Sequence, residues 1–160
     1  MDWNNVKSIM FVCHGNICRS PMAECVMRDM LDKGEIYDVE VASSATSREE
    51  IGNGIYPPAI AELRRLGIPL LPHHAVQLTR SDLRKYDLFL GADSVNVMNM
   101  ERILGSESVG RCYRLLDFSK SPRDIADPWW TGIFTETSRD ILEGCTAILE
   151  LLKTAREKKS

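Results

Sequence analysis

Cys13 and Arg19 stand with five residues between them in the run Val12-Cys13-His14-Gly15-Asn16-Ile17-Cys18-Arg19-Ser20-Pro21. A loop of that length, from Cys13 to Ser20, lets the backbone curl so that successive N–H groups point inward. It makes a nest for phosphate oxygens at the positive end of the helix that follows. Gly15 and Asn16 are residue types that tolerate the left-handed backbone such a curl requires. Arg19 can offer two parallel N–H donors to two phosphate oxygens, which a lysine cannot reproduce. The same positive potential favours the thiolate at Cys13, the nucleophilic form. Ser20 is placed to donate its hydroxyl to that sulfur, and later to the departing thiolate. Taken singly, Cys13 reads equally as a small core residue, Arg19 as a solvated helix-start charge and Ser20 as a helix cap. Their joint spacing points instead to metal-independent attack of a cysteine on a phosphate monoester.

The remaining composition narrows the alternatives. The five cysteines, at 13, 18, 25, 112 and 145, are odd in number and unevenly spaced, a poor disulfide framework. No Cys-x-x-Cys or paired histidine accompanies them, so a metal centre is not expected, and no cofactor is implied because the positive loop and Arg19 can neutralise the charge on a transferring phosphoryl group. A net charge of -3 supplies no basic field for nucleic acid or an anionic membrane surface, so anion binding must be local. The opening Met1-Asp2-Trp3-Asn4-Asn5 has no signal-peptide character, and no apolar run approaches the roughly 20 residues of a membrane span. A soluble, cytoplasmic protein is expected. The whole chain, residues 1–160, reads as a single domain.

The elements that must position the loop follow an alternating pattern. Val6 to Val12 reads as a buried central strand, and Met22, Val26, Met27 and Met30 recur at helical spacing through Leu31, with Gly34 as the stop. A second strand is expected at Val39 to Ala42, a loop at Ser43 to Pro58, and a helix at Ala59 to Leu66 closed by Gly67. A short extended stretch near Leu70 and a helical stretch from Ser81 to Tyr86 come next. Asp87 to Leu90 reads as a strand, Val95 to Ile103 as a helix and Cys112 to Leu116 as a fourth strand. Phe134 to Leu152 is the longest expected helix, ahead of a lysine-rich frayed end. The pattern implies an α/β fold: an open, mainly parallel four-stranded sheet with helices on both faces, doubly wound and flavodoxin-like. Ligands bind such sheets at the carboxyl ends of the strands, where the loop after Val12 lies.

Through that loop, through Asp93 and Asn96, and through Asp127-Pro128-Trp129-Trp130, the sequence resembles the low-molecular-weight protein tyrosine phosphatase family along nearly its whole length. The resemblance implies a phosphocysteine intermediate on Cys13, phosphotyrosine-containing proteins as substrates, and Asp127 as general acid and then base. On residue type alone, Asp127 before Pro128 reads as a turn starter or helix cap. Asp93 resembles the family's structural aspartate that supports the loop, and is equally consistent with a cap on the next helix. His73 resembles a histidine that braces the loop serine. Cys18 resembles the family's second loop cysteine, whose disulfide with the nucleophile would block it reversibly; a buried thiol with no redox task is the alternative. Cys25, Cys112 and Cys145 read as core.

Trp129 and Trp130 stand where the family usually carries two tyrosines, which removes hydroxyls that accept phosphate in some relatives. Their expected role is a wall against the substrate ring, with at least one packed under the acid loop. Glu49 takes a rim position, where a carboxylate would repel acidic substrate flanks, although a solvated loop charge is an equal reading. Tyr56 is a candidate for the rim aromatic, and His14 projects toward the rim. A monomer is expected, with self-association through the rim aromatics left open.

Three rivals are weighed. Arsenate reductases share the fold and loop but need two further cysteines close together, whereas Cys112 stands alone. A protein arginine phosphatase carries a threonine where Ile17 stands, and Ile17 suits a phenyl ring better than a guanidinium. A non-catalytic phosphate-binding module needs neither Cys13 nor Asp127. Hydrolysis of phosphotyrosine is favoured.

Overall fold

The computed structural model of the chain describes residues 1–159. Four strands, β1 (Ser8–Cys13), β2 (Glu40–Ala45), β3 (Leu88–Gly91) and β4 (Cys112–Arg114), form one sheet in the order β2-β1-β3-β4. Every pairing is parallel. The helices are α1 (Arg19–Lys33), α2 (Pro57–Arg65), α3 (Ser94–Leu104), α4 (Pro128–Thr131) and α5 (Phe134–Lys159).

The all-buried β1 follows from its central place between two helical layers. Side chains alternate across a strand, so Ile9, Phe11 and Cys13 join the core formed with α1 and α5, containing Met22, Met27, Ile141 and Ile148. Met10 and Val12 point the other way, to Phe89, Met100 and Leu104 on the α3 side. The chain leaves β1 toward β2 on one side and reaches β3 on the other. This strand-order reversal opens a crevice at the carboxyl ends of β1 and β3, and the Cys13–Ser20 loop occupies it.

The expected architecture is the observed one, with shifted boundaries. β1 begins at Ser8 rather than Val6, after a 3₁₀ turn at Trp3–Asn5. β2 continues to Ala45, past the expected end at Ala42, because Ser43, Ser44 and Ala45 are buried and pair with Phe11, Val12 and Cys13. The stretch near Leu70 forms no strand; only Gln77 bridges to Ala45. The helical stretch at Ser81 is a 3₁₀ turn over Arg80–Arg84. β4 ends at Arg114, where Arg114 and Asp117 cap a 3₁₀ turn at Leu115–Phe118. α5 does not fray after Leu152. It runs to Lys159, with Arg156 bound through Nη2 to both carboxylate oxygens of Asp38 at 2.9 and 3.0 Å. Cys25 and Cys145 are core residues as expected, while Cys112 is half-buried. Among the described residues no helix is long and apolar enough to cross a membrane.

Candidate active site

The loop places its sulfur among donors. Cys13 ends β1, and its Sγ receives the backbone N–H of Asn16 at 3.3 Å and of Ser20 at 3.4 Å, with Ser20 Oγ at 3.0 Å. Asn16 carries the left-handed bend, at φ 59°, whereas Gly15 does not need it. Asn16 is fully buried and ties the loop on every side. Its Nδ2 donates to Ser20 Oγ and Ser43 Oγ, its Oδ1 accepts from Val76 N–H, and its carbonyl meets His73 Nε2 at 2.6 Å. Ser43 in turn donates to Glu24 Oε1 at 2.6 Å. His73 therefore braces the loop through the Asn16 backbone, not by touching Ser20.

Arg19 opens α1 and is 3% exposed. Its Nη1 donates to Asp93 Oδ2 and to the carbonyl of Ile125, both at 2.7 Å. With both Nη1 hydrogens committed, Nε and Nη2 remain as the parallel pair for phosphate oxygens. Burial pulls the Arg19 pKa down, but Cys13, Asp93 and Asp127 outweigh it, so the guanidinium is held more firmly charged than usual. Asp93 fills both roles left open for it. Its Oδ2 holds Arg19, and its Oδ1 caps α3 by accepting Asn96 N–H at 2.7 Å.

The segment before α4 brings in Asp127. Ile125 N–H bonds the carbonyl of Ala92 at 2.9 Å, and Asp124 Oδ1 accepts from Ser94 N–H at 2.9 Å and Arg114 Nη1 at 3.1 Å. Asp127 caps α4 through Trp129 N–H at 3.1 Å, and its Oδ2 lies 3.6 Å from Arg19 Nη2, over the mouth of the loop.

A cleft of about 470 Å³ opens above Cys13. Its floor is Cys13, Gly15, Cys18 and Arg19, and its walls are His14, Ile17, Glu49, Glu50, Asp127, Trp129 and Trp130. His14 does reach the rim, where Nε2 sits 3.0 Å from Glu49 Oε2. Neither tryptophan packs under the acid loop, since Trp129 is 50% and Trp130 82% exposed. Tyr56 is not on the cleft wall. It stands behind Trp129, ring centroids 4.9 Å apart, and faces an adjoining hollow. Burial, with the negative charge of Cys13 and Asp127, pushes the Cys18 thiol up to about 12 despite Arg19, so it stays protonated at neutral pH. Glu50, Asp124, Arg114 and Ser43 were not singled out in the sequence; only Glu50, next to Glu49 in the rim segment, gave any local signal.

Comparison with known proteins agrees with this geometry. Residues 8–159 match the family model described as low molecular weight phosphotyrosine protein phosphatase. The chain is 33% identical over 153 residues to the low molecular weight protein-tyrosine-phosphatase YfkJ of Bacillus subtilis, covering 94% of this chain and 98% of that protein. It is 36% identical over 127 residues to low molecular weight phosphotyrosine protein phosphatase 1 of Drosophila melanogaster, covering 78% and 81% of the two chains. The crystal structure of the B. subtilis protein superposes with a TM-score of 0.85 over 98% of both chains. With its fold, its full-length match and its Cys13–Ser20 loop in agreement, the chain belongs to the low molecular weight phosphotyrosine protein phosphatase family.

Proposed function

We propose that this protein is a protein tyrosine phosphatase that hydrolyses phosphotyrosine and aryl phosphate monoesters through a phosphocysteine on Cys13. The observation that carries this reading is the convergence of three donors on Cys13 Sγ, with Arg19 and Asp127 facing each other across the same cleft. Arg19 and the loop N–H groups hold the phosphoryl oxygens, and the thiolate attacks phosphorus from below. As the S–P bond forms and the P–O bond breaks, the Asp127 carboxyl passes its proton to the leaving phenolate oxygen. Asp127, now a carboxylate, takes a proton from water as that oxygen attacks phosphorus. The S–P bond breaks, Ser20 Oγ–H receives the restored thiolate, and inorganic phosphate departs. The loop and Arg19 supply the positive charge this requires, so the mechanism invokes no metal.

Ile17 and Trp129 give the cleft apolar walls suited to a phenyl ring, and Ile17, unlike a threonine at that position, offers no acceptor to a phosphoarginine guanidinium. The substrates are phosphotyrosine-containing proteins, and residues 1–160 act as one catalytic domain in the cytoplasm. The test is aryl phosphate hydrolysis against pH with a metal chelator present, for the unaltered protein and for Cys13→Ser. Activity that survives chelation and vanishes in the variant supports the cysteine route; equal activity in Cys13→Ser overturns it. A folded, fully reduced protein without activity would favour a phosphate-binding module.

A further inference from the structure

Beside the phosphate cleft lies a second hollow of about 340 Å³, lined by Ile17, Glu50, Asn53, Tyr56, Pro57 and Trp129 among others. Ile17, Glu50 and Trp129 belong to both, so they form the partition between them. The hollow is preformed. Tyr56 N–H bonds the Ile17 carbonyl at 2.9 Å, and Gly52 and Asn53 are tied to Ala75 by two backbone bonds of 2.8 Å. Its apolar side is the face of Tyr56 together with Trp129 and Pro57.

The charge on the partition needs an explanation. Glu50 lies directly over the phosphate loop, so close that a Cβ on Gly15 would meet its Cγ at 3.4 Å. A carboxylate there repels any phosphate dianion entering the loop. Glu49 has a ring partner in His14 Nε2 at 3.0 Å, whereas the Glu50 carboxylate accepts only from the neutral amide of Asn53, at 2.5 Å. Arg19 and the loop N–H groups outweigh that repulsion at the phosphate itself, and Glu50 further favours a substrate that carries a cation beside it.

We infer that the hollow is a subsite for a lysine or arginine side chain next to the phosphotyrosine. Its aliphatic stem lies on Tyr56 and Trp129, and its charged head is met by Glu50. This is the division of labour such amphipathic side chains adopt. Glu50 is then a specificity determinant, and the inference rests on the phosphatase reading only for the identity of the phosphorylated residue.

The test uses short phosphotyrosine peptides carrying Lys, Leu or Glu directly before or directly after the phosphotyrosine. Their affinities are measured by calorimetry on Cys13→Ser, so that turnover is not required. The lysine peptide should bind about 10-fold tighter than the glutamate peptide, one attraction gained and one repulsion removed. Adding Glu50→Gln, which keeps an acceptor for Asn53, should bring the two within about 2-fold. Adding Tyr56→Ala should weaken the lysine peptide and keep the order. Equal affinities on Cys13→Ser, no binding of any peptide, or an order unmoved by Glu50→Gln would each overturn the subsite. Turnover of the same peptides by the unaltered protein separates the two ideas. Flank-blind hydrolysis removes the subsite and leaves the phosphatase; a flank preference in binding without any hydrolysis does the reverse.

Discussion

Asn16 Nδ2 donates to Ser20 Oγ at 2.8 Å, and that hydroxyl lies 3.0 Å from Cys13 Sγ. The thiolate at Cys13 can only accept, so the hydroxyl gives its hydrogen to Sγ in preference to the Ser44 carbonyl, the longer contact at 3.4 Å. The same amide donates to Ser43 Oγ, whose hydroxyl donates to Glu24. One buried asparagine thus donates to both hydroxyls.

Ser20→Ala removes one of the three donors to the sulfur and leaves the two backbone N–H donors in place. We expect kcat to fall by about 10²-fold, the lower end of what the loss of a single donor to a developing charge costs. KM for phenyl phosphate should move less than kcat, because the loop N–H groups and Arg19 that hold the phosphoryl oxygens are untouched. Steady-state kinetics checks both. A loss carried by KM with kcat unchanged would remove Ser20 from the chemistry at the sulfur and assign it to the shape of the loop.

Asp127→Asn keeps the α4 cap, since the amide oxygen can still accept from Trp129, but cannot donate a carboxyl proton. The expected loss in kcat is about 10²- to 10³-fold on phenyl phosphate, within the usual worth of a positioned acid. The loss should be smaller on nitrophenyl phosphate, whose leaving group needs less help. Comparing the two substrates is the check; an equal loss on both would remove Asp127 from the proton transfer.

What the sequence made legible was local. The Cys13–Ser20 loop is contiguous, and its chemistry follows from types and spacing within a few residues. The four strands and their parallel order followed from buried apolar runs alternating with helical ones. The extension of β2 was hidden because Ser43 and Ser44 are polar, and only their burial against β1 and the loop makes them strand residues. The clamp of Arg114 and Ser94 on Asp124 was hidden because it joins three separate segments of the chain, and each residue alone reads as a surface charge or hydroxyl. Tyr56 was assigned to the rim from its place in the chain, but the turn into α2 sets its ring behind Trp129 instead.

Asp38 ties the two ends of the fold opposite the cleft. Lys7 at 2.9 Å, and after it Arg156, lower its carboxyl to about 2 from an ordinary 3.8. A lowered folded-state value means that the unfolded chain binds the proton more readily. The stabilisation is therefore complete above about pH 4 and is lost as pH falls toward 2. The side chain is half-exposed, so solvent screening keeps the contribution under about 1 kcal/mol. Urea unfolding of the unaltered protein and Asp38→Asn should show a constant gap between about pH 7 and 5, narrowing at about pH 3. A gap that widens on acidification would mean that the pairs with Lys7 and Arg156 are not what Asp38 contributes.

Gly144 lies in α5, where alanine would ordinarily stabilise a helix by up to about 1 kcal/mol. Here a Cβ would stand 2.5 Å from Leu115 Cγ and 3.0 Å from its Cδ1, and Leu115, buried at 2% exposure, would have to shift. Overpacking of that kind costs about 1–3 kcal/mol, more than the propensity gain, so Gly144→Ala should be destabilising. The displaced Leu115 is the neighbour of Arg114, which holds Asp124 and through it the segment leading to Asp127. Chemical denaturation and kcat measured together on Gly144→Ala test this chain of contacts. Loss of both stability and kcat is expected, since Leu115 also borders the small hollow against Arg19 and Ser20. Loss of stability with kcat intact would show that the Asp124 clamp absorbs the shift before it reaches Asp127.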